Sequence, residues 1–447
     1  MHRKALEELG AWKRSPQRKP LLLRGARRVG KTWLVQSFAQ EHFAGRFHYL
    51  DFNATPTLRD IFRASPAPEP MFDALAAHTG RPVAAGDLLI FDGIEFSPEV
   101  ISTLLRLTEH RRDLFLLVTG TYLDRPSSEP PSSSPEAVDE LTLEPLSFAE
   151  FLLAQGETGL ADCLRNWSML EPLPRILFEP LSTKLQHYLT VGGMPEAAAA
   201  WCEAQNLTLA RRNQQDILDA FRLDMLIRSN AVNAPKVRRV WESLPKQQAQ
   251  GNHRFLFSDV EPRSNARKYG DALARLVDAQ MVRRLPRIRH PTLPLSVGEE
   301  PGAFLAYFVD VGLFTRLTGL DPVLLQDARN LFLALQKAVA ENYVLQSLRP
   351  QFGDALGFWS SVKPRTKVDF LVSVDDRIVP IEVVTSAKGR SSNLRVFLKQ
   401  YGEECPLRVR FFLENLGFRD GLLSIPLFLA DEALRLMRLS LAQIDAA

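Results

Sequence analysis

Over the first 150 positions apolar residues gather into short continuous runs, two of them closed by an aspartate or a small polar residue. Pro20-Leu21-Leu22-Leu23-Arg24, Phe47-His48-Tyr49-Leu50-Asp51-Phe52, Asp87-Leu88-Leu89-Ile90-Phe91-Asp92 and Leu114-Phe115-Leu116-Leu117-Val118-Thr119-Gly120-Thr121 read as strands. Runs this continuous suit strands buried on both faces of a sheet. Residues 33–39, Trp-Leu-Val-Gln-Ser-Phe-Ala, have helical spacing. Strands alternating with helices predict an α/β domain with a parallel sheet. Polar residues that close such strands, here Asp92 and Thr121, fall in the crevice where open α/β sheets bind ligands.

Later segments change character. Residues 126–136 are almost all Pro, Ser and Glu, the composition of a surface loop. Leu143 to Leu152 ends a strand and opens a helix, with Ser147 and Glu150 spaced as a capping box. The pattern stays helical to about residue 230. Val237 to Leu244 and Asp271 to Ala279 read as helices, followed by a hairpin beginning Met281-Val282-Arg283-Arg284-Leu285. That order and its basic residues suit a small winged-helix-like unit. From about residue 300 strands return: Phe304 to Asp310, Val368 to Val372 and Ile378 to Val384, with a long helix from Leu331 to Leu348. No internal repeat is visible.

The first of these strands leads into Gly25-Ala26-Arg27-Arg28-Val29-Gly30-Lys31-Thr32, which fits Gly, four residues, Gly-Lys-Thr. Strand, glycine-rich loop and helix in that order form a P-loop. Its backbone N–H groups and helix N-terminus point at a phosphate chain. Lys31 would reach the β- and γ-phosphates, and the Thr32 hydroxyl would ligate Mg²⁺. The strand ending at Asp92 supplies the second half of such a site, a carboxylate that organises Mg²⁺. Thr121 closes the next strand, placed like a polar residue that senses the γ-phosphate.

Bulk composition narrows the picture only a little. The chain has 447 residues, 45% hydrophobic and 24% charged, enough for several domains with real cores. A net charge of +3 announces no nucleic-acid binder, but the distribution is uneven. Residues 1–35 hold ten Lys/Arg against Glu7 and Glu8, and residues 222–290 hold fifteen against six acids. Cys163, Cys202 and Cys405 are too few and too scattered for a disulfide framework or a Cys-x-x-Cys metal site. The eight histidines show no zinc spacing, and the six tryptophans form no cluster for stacking bases. The N-terminus lacks the apolar core of a signal peptide, and no run approaches a membrane span. The expectation is a reduced, cytoplasmic protein with no membrane role.

Taken in order, these pieces resemble a group of bacterial AAA-type ATP-binding proteins. Those carry a C-terminal domain of unknown function with a restriction-endonuclease-like, PD-(D/E)xK core. The resemblance runs through Gly25 to Thr32, Leu88 to Glu95, Pro145 to Phe151, Gly192-Gly193-Met194-Pro195-Glu196, Asp310-Val311-Gly312-Leu313, Glu341, and Asp369 to Glu382. It implies an α/β P-loop domain (1–155), a helical lid (156–230), a winged-helix-like unit (231–295) and an α/β endonuclease-like domain (300–447). It also implies ATP and Mg²⁺ as ligands, with Thr32 and Asp92 at the metal.

Three departures bear on activity. Gly93 replaces the acid that usually follows the aspartate, and losing a general base costs about 10²–10⁴ in rate. Glu95, two residues further along an extended segment, shares its side and is the candidate substitute. Glu136-Ala137 stand where the family tends to show Gly-Arg. Glu341, Asp369 and Glu382 match the nuclease acids, but Val384 takes the lysine position and the next lysine is Lys388. The expected function is ATP and Mg²⁺ binding with weak or absent hydrolysis, and with three carboxylates left on an inactive nuclease fold. Two alternatives stand beside it. One is a nucleotide-dependent switch or scaffold for a protein partner or a second copy. The other is a DNA-binding protein using the basic 222–290 stretch.

Overall fold

The computed structural model describes residues 1–446 except 56, 65–67, 95–110, 122–137, 229–232, 253, 320–335, 362–365 and 385–391. Glu95, the Pro/Ser-rich stretch, Glu136-Ala137, Lys388 and the expected start of the helix at Leu331 lie outside the described residues. The chain forms two compact units, one of residues His2–Glu144 with Asp278–Met281, the other of Pro145–Val277 with Val282–Ala447.

In the N-terminal unit, α1 (Lys4–Arg14) precedes β1 (Leu21–Gly25), α2 (Lys31–Phe43) and β2 (Phe47–Asp51). Then come α3 (Leu58–Ala64), α4 (Pro68–Thr79), β3 (Leu88–Asp92), β4 (Phe115–Gly120) and β5 (Asp139–Leu143). Among the described residues the strands make one sheet in the order β2-β3-β4-β1-β5, parallel throughout. Period-2 alternation divides its side chains between two faces. Leu50, Phe52, Leu89, Phe91, Leu116 and Val118 form one core with Leu58, Phe62, Met71 and Leu75 of α3 and α4. Asp92 alternates to the other face with Ile90, the side on which Thr32 of α2 reaches it.

The C-terminal unit begins with helices. They are α5 (Phe148–Ala154), α6 (Thr158–Asn166), α7 (Arg175–Val191), α8 (Pro195–Ala204) and α9 (Leu207–Arg228). The capping box read from Ser147 and Glu150 is present, with both hydrogen bonds made. Next come α10 (Ala234–Ala249), α11 (Phe257–Val260), α12 (Ala266–Asp278), β6 (Val282–Ile288), β7 (Glu299–Phe308) and α13 (Val311–Leu317). The last segment holds α14 (Gln336–Phe352), β8 (Leu356–Ser361), β9 (Thr366–Val374), β10 (Arg377–Val383), α15 (Ser392–Tyr401), β11 (Arg408–Phe412), β12 (Gly417–Arg419), β13 (Leu422–Pro426) and α16 (Ala433–Asp445).

β6 pairs antiparallel with β7, and Arg287 of β6 also pairs with Phe358 of β8. The basic hairpin is therefore the end of an eight-stranded sheet, ordered β12-β13-β11-β10-β9-β8-β6-β7. The strand expected from Phe304 lies in the second arm of that hairpin. The unit that holds the P-loop runs to Glu144.

Candidate functional site

β1 enters the loop at Gly25, where a Cβ would lie 2.6 Å from the Leu143 carbonyl of β5. Gly30 holds the N-cap of α2 with φ of 99°, a left-handed conformation that a β-carbon disfavours. Between them Ala26 and Val29 are buried, while Arg27 and Arg28 are exposed. The loop curls back on the lysine that follows it. Lys31 Nζ donates to the carbonyls of Gly25 at 2.9 Å and Ala26 at 3.0 Å, and to Thr121 Oγ1 at 3.1 Å. The motif lysine and the polar residue closing the β4 run are thus in contact.

Asp92 is the second centre, buried at 4% exposure. Thr32 Oγ1 donates to its Oδ2 at 2.7 Å and Tyr49 Oη to the same oxygen at 2.6 Å. Thr119 Oγ1 donates to the other oxygen, Oδ1. Sheet register explains this crowd. Tyr49 of β2 is paired with Ile90, two residues before Asp92 and on its face. Thr119 of β4 is one step beyond the Phe91–Val118 pair. Burial, and then the Asp92 carboxylate, push the Tyr49 hydroxyl well above its usual pKa, so it stays a donor.

Gly93 follows with φ of 75°. A Cβ there would lie 2.8 Å from Asn53 Cγ, closer than van der Waals contact, so the Asn53 amide stands where a side chain would begin. Gly93 N–H donates to the Thr119 carbonyl at 3.2 Å. The positive φ suits glycine at this position, and the exposed Asn53 amide would have to move aside for any other residue. Glu95, the expected substitute, is outside the described residues.

Glu341, Asp369 and Glu382 converge in the C-terminal unit. Asp369 Oδ2 accepts the Val383 N–H at 2.8 Å, and Glu382 is one step beyond the Phe370–Ile381 pair. Two lysines share the same space. Lys367, two residues before Asp369 on β9, lies 3.1 Å from Glu341 Oε1 and 3.2 Å from Asp369 Oδ1. Lys337, one turn before Glu341 on α14, lies 3.4 Å from Glu341 and 3.3 Å from Asp369. Burial pushes the Asp369 carboxyl up, but Lys337 and Lys367 outweigh it and hold the group at about 2. Asp369, then Glu341, raise the Lys337 ammonium well above its usual range. Val384 lies just past β10, its N–H given to the Phe411 carbonyl at 2.9 Å.

The sequence reading missed Tyr49, Thr119, Asn53, Lys337 and Lys367. Strand parity could have found Thr119 and Lys367, and helical spacing could have found Lys337. Tyr49 and Asn53 needed the strand order. The basic 222–290 stretch is also less open than its composition suggests. Arg283 is buried, Arg287 pairs with Glu300 at 3.0 Å, and Arg239 and Lys268 converge on Glu261.

Among the described residues no group of three His, Cys, Asp or Glu could hold a metal, and no helix is long and apolar enough to cross a membrane. In sequence, residues 17–152 match the model of an AAA domain. Residues 182–324 and 336–428 match two domains of unknown function, DUF8612 and DUF4143. No curated protein matches. Among solved structures, the Walker-type ATPase PABY2304 of Pyrococcus abyssi is 14% identical, with a TM-score of 0.41 over 71% of this chain and 95% of that one. The Aeropyrum pernix ORC1 protein, solved in complex with DNA, is 13% identical, with a TM-score of 0.30 over 71% and 90%. Drosophila ORC bound to DNA is 16% identical, with a TM-score of 0.26 over 73% and 95%. The P-loop, the aspartate that Thr32 reaches and the parallel sheet joining them thus lie in a stretch similar to AAA domains.

Proposed function

We propose that the N-terminal unit binds ATP with Mg²⁺ and turns it over slowly or not at all. The observation that carries this is the 2.7 Å hydrogen bond from Thr32 to Asp92, which joins the loop half and the carboxylate half in one crevice. Both offer oxygen donors alone, the hard set that Mg²⁺ takes. Bound there, the metal would neutralise charge building between the β- and γ-phosphates. The rest falls to side chains and backbone. Phosphate oxygens would replace the three oxygens now held by Lys31, the Gly25–Gly30 N–H groups would line the chain, and Thr121 would face its far end. Gly93 withdraws the usual base, which leaves Glu95 as the candidate.

Titration with a fluorescent ATP analogue and Mg²⁺ tests this reading. Lys31→Ala should weaken binding by about 10-fold or more, as expected for loss of a hydrogen bond to a charged group. Equal affinity would sink the proposal. Gly93, closed by Asn53, favours a second reading in which ATP acts as a switch for a protein partner or a second copy. ATP hydrolysis that is lost in both Lys31→Ala and Glu95→Gln would end the pure switch.

For the C-terminal unit, α14 followed by the β8–β9–β10 ladder and the parallel β11 supports the endonuclease-like reading of its core. Mg²⁺ does not fit among Glu341, Asp369 and Glu382 as they stand, because two ammonium groups already balance them. The reading that follows is a vestigial site without cleavage.

A further inference from the structure

The basic N-terminal stretch is only partly absorbed by the nucleotide site. Arg18 and Lys19 stand at the opposite end of β1, just ahead of Leu21. β4 runs parallel beside β1, with Leu21 in register with Leu117, so the segments entering the two strands are neighbours. The segment entering β4 carries Arg111 and Arg112. Two dibasic pairs, distant in sequence, therefore meet at the N-terminal edge of the sheet. They line one cleft of about 440 Å³, together with Leu114 and Trp12.

No acid lines this cleft among the described residues. Two carboxylates beside these segments are already committed. Asp113 takes both Arg111 nitrogens, at 2.8 and 2.7 Å, and Asp139 accepts the Lys19 backbone N–H at 2.9 Å. Among the described residues no carboxylate pairs with the Lys19 ammonium or with the Arg18 or Arg112 guanidinium. A cleft walled by one sign of charge concentrates ligands of the other sign. Among the described residues of the cleft, no aromatic face is open for a base. Trp12 is 8% exposed with its Nε1–H given to the Lys19 carbonyl, and the Arg18 guanidinium covers the Phe115 ring at 3.8 Å. Single-strand binders stack bases on exposed rings, whereas a duplex backbone asks only for cations at its phosphates.

The geometry points to a site for the sugar–phosphate backbone of a nucleic-acid duplex, at the strand ends remote from the P-loop and independent of the ATP reading. It is also distinct from the 222–290 surface.

Fluorescence anisotropy of a labelled DNA duplex of about 20 base pairs, with nucleotide-free full-length protein between about 50 and 200 mM salt, tests it. The logarithm of affinity should fall linearly with that of salt. Lys19→Ala/Arg112→Ala should weaken binding at least tenfold at the low-salt end and make the slope shallower by about 0.9 per lost contact. Its melting temperature should match the parent's, since both side chains lie at the surface. Arg284→Ala/Arg289→Ala should bind like the parent. The site is overturned by absence of binding, by salt-independent binding, or by unchanged affinity in the Lys19/Arg112 variant. It is overturned equally by loss confined to the Arg284/Arg289 variant, or by tighter binding of a single strand of the same length. Pyrophosphate binding in calorimetry without duplex binding would reassign the cleft to a small phosphate and sink the duplex.

Discussion

Asp92 shows how much chemistry one buried carboxylate gathers when a parallel sheet sets its neighbours. Thr32, Tyr49 and Thr119 all donate to it, from a helix and from the strand on either side. Of these only Thr32 was legible, because a motif with fixed spacing named it. The others follow from β3 lying between β2 and β4, which no local pattern encodes. Gly93 was legible as a departure, but its neighbour was not: Asn53 comes from the turn after β2, forty positions earlier. Restoring an acid at this position should therefore not restore an ordinary site. Gly93→Glu should cost about 1–3 kcal/mol through its positive φ, read as a lower midpoint of chemical unfolding. Adding Asn53→Ala should recover part of that loss. A Gly93→Glu protein as stable as the parent would show that neither backbone nor Asn53 excludes a side chain.

At the level of elements, two buried carboxylates tie segments together in different ways. Asp310 caps α13, accepting the Leu313 N–H at 2.9 Å, and also accepts the Gly193 N–H at 2.7 Å from the turn between α7 and α8. Gly192-Gly193-Met194 forms that turn, and its partner was invisible in sequence. Burial pushes the Asp310 carboxyl up to about 6, above its unfolded value. A raised native pKa means the folded state holds the proton more tightly, so this group's contribution is full below about pH 4 and fades as pH rises to about 6. Stability measured across that window should fall less steeply in Asp310→Asn, and identical slopes would refute the assignment. Asp369 in the Lys367 cluster behaves oppositely: burial raises its carboxyl, but Lys337 and Lys367 outweigh burial and lower it. Lys367→Met should cost about 1–3 kcal/mol, because only Lys337 would then be left to balance Glu341 and Asp369. Adding Glu341→Gln and Asp369→Asn should return much of it. If the triple variant is no better than the single one, packing and not charge accounts for the loss.

For the molecule as a whole, two units with separate cores predict two calorimetric transitions. Mg-ATP should raise one of them, by about 2.7 kcal/mol at one hundred times its dissociation constant, and leave the other in place. A single transition moved bodily by nucleotide would contradict independent units. The α/β class, the strands of the first sheet, the P-loop and the helical run from 148 to 228 could all be read from the chain, because period, capping and glycine spacing are local. The second sheet was read only in pieces. β8 and β11 to β13 carried no distinct signal, and the basic hairpin looked like a separate module until β6 met β8. Sequence by itself determined where a phosphate loop and its partner aspartate are, since both depend on residues close along the chain. Only the tertiary structure decided what surrounds them. Strand order chose Tyr49 and Thr119 as neighbours of Asp92 and Asn53 as the neighbour of Gly93, placed two lysines among the three acids, and brought two dibasic pairs to one cleft.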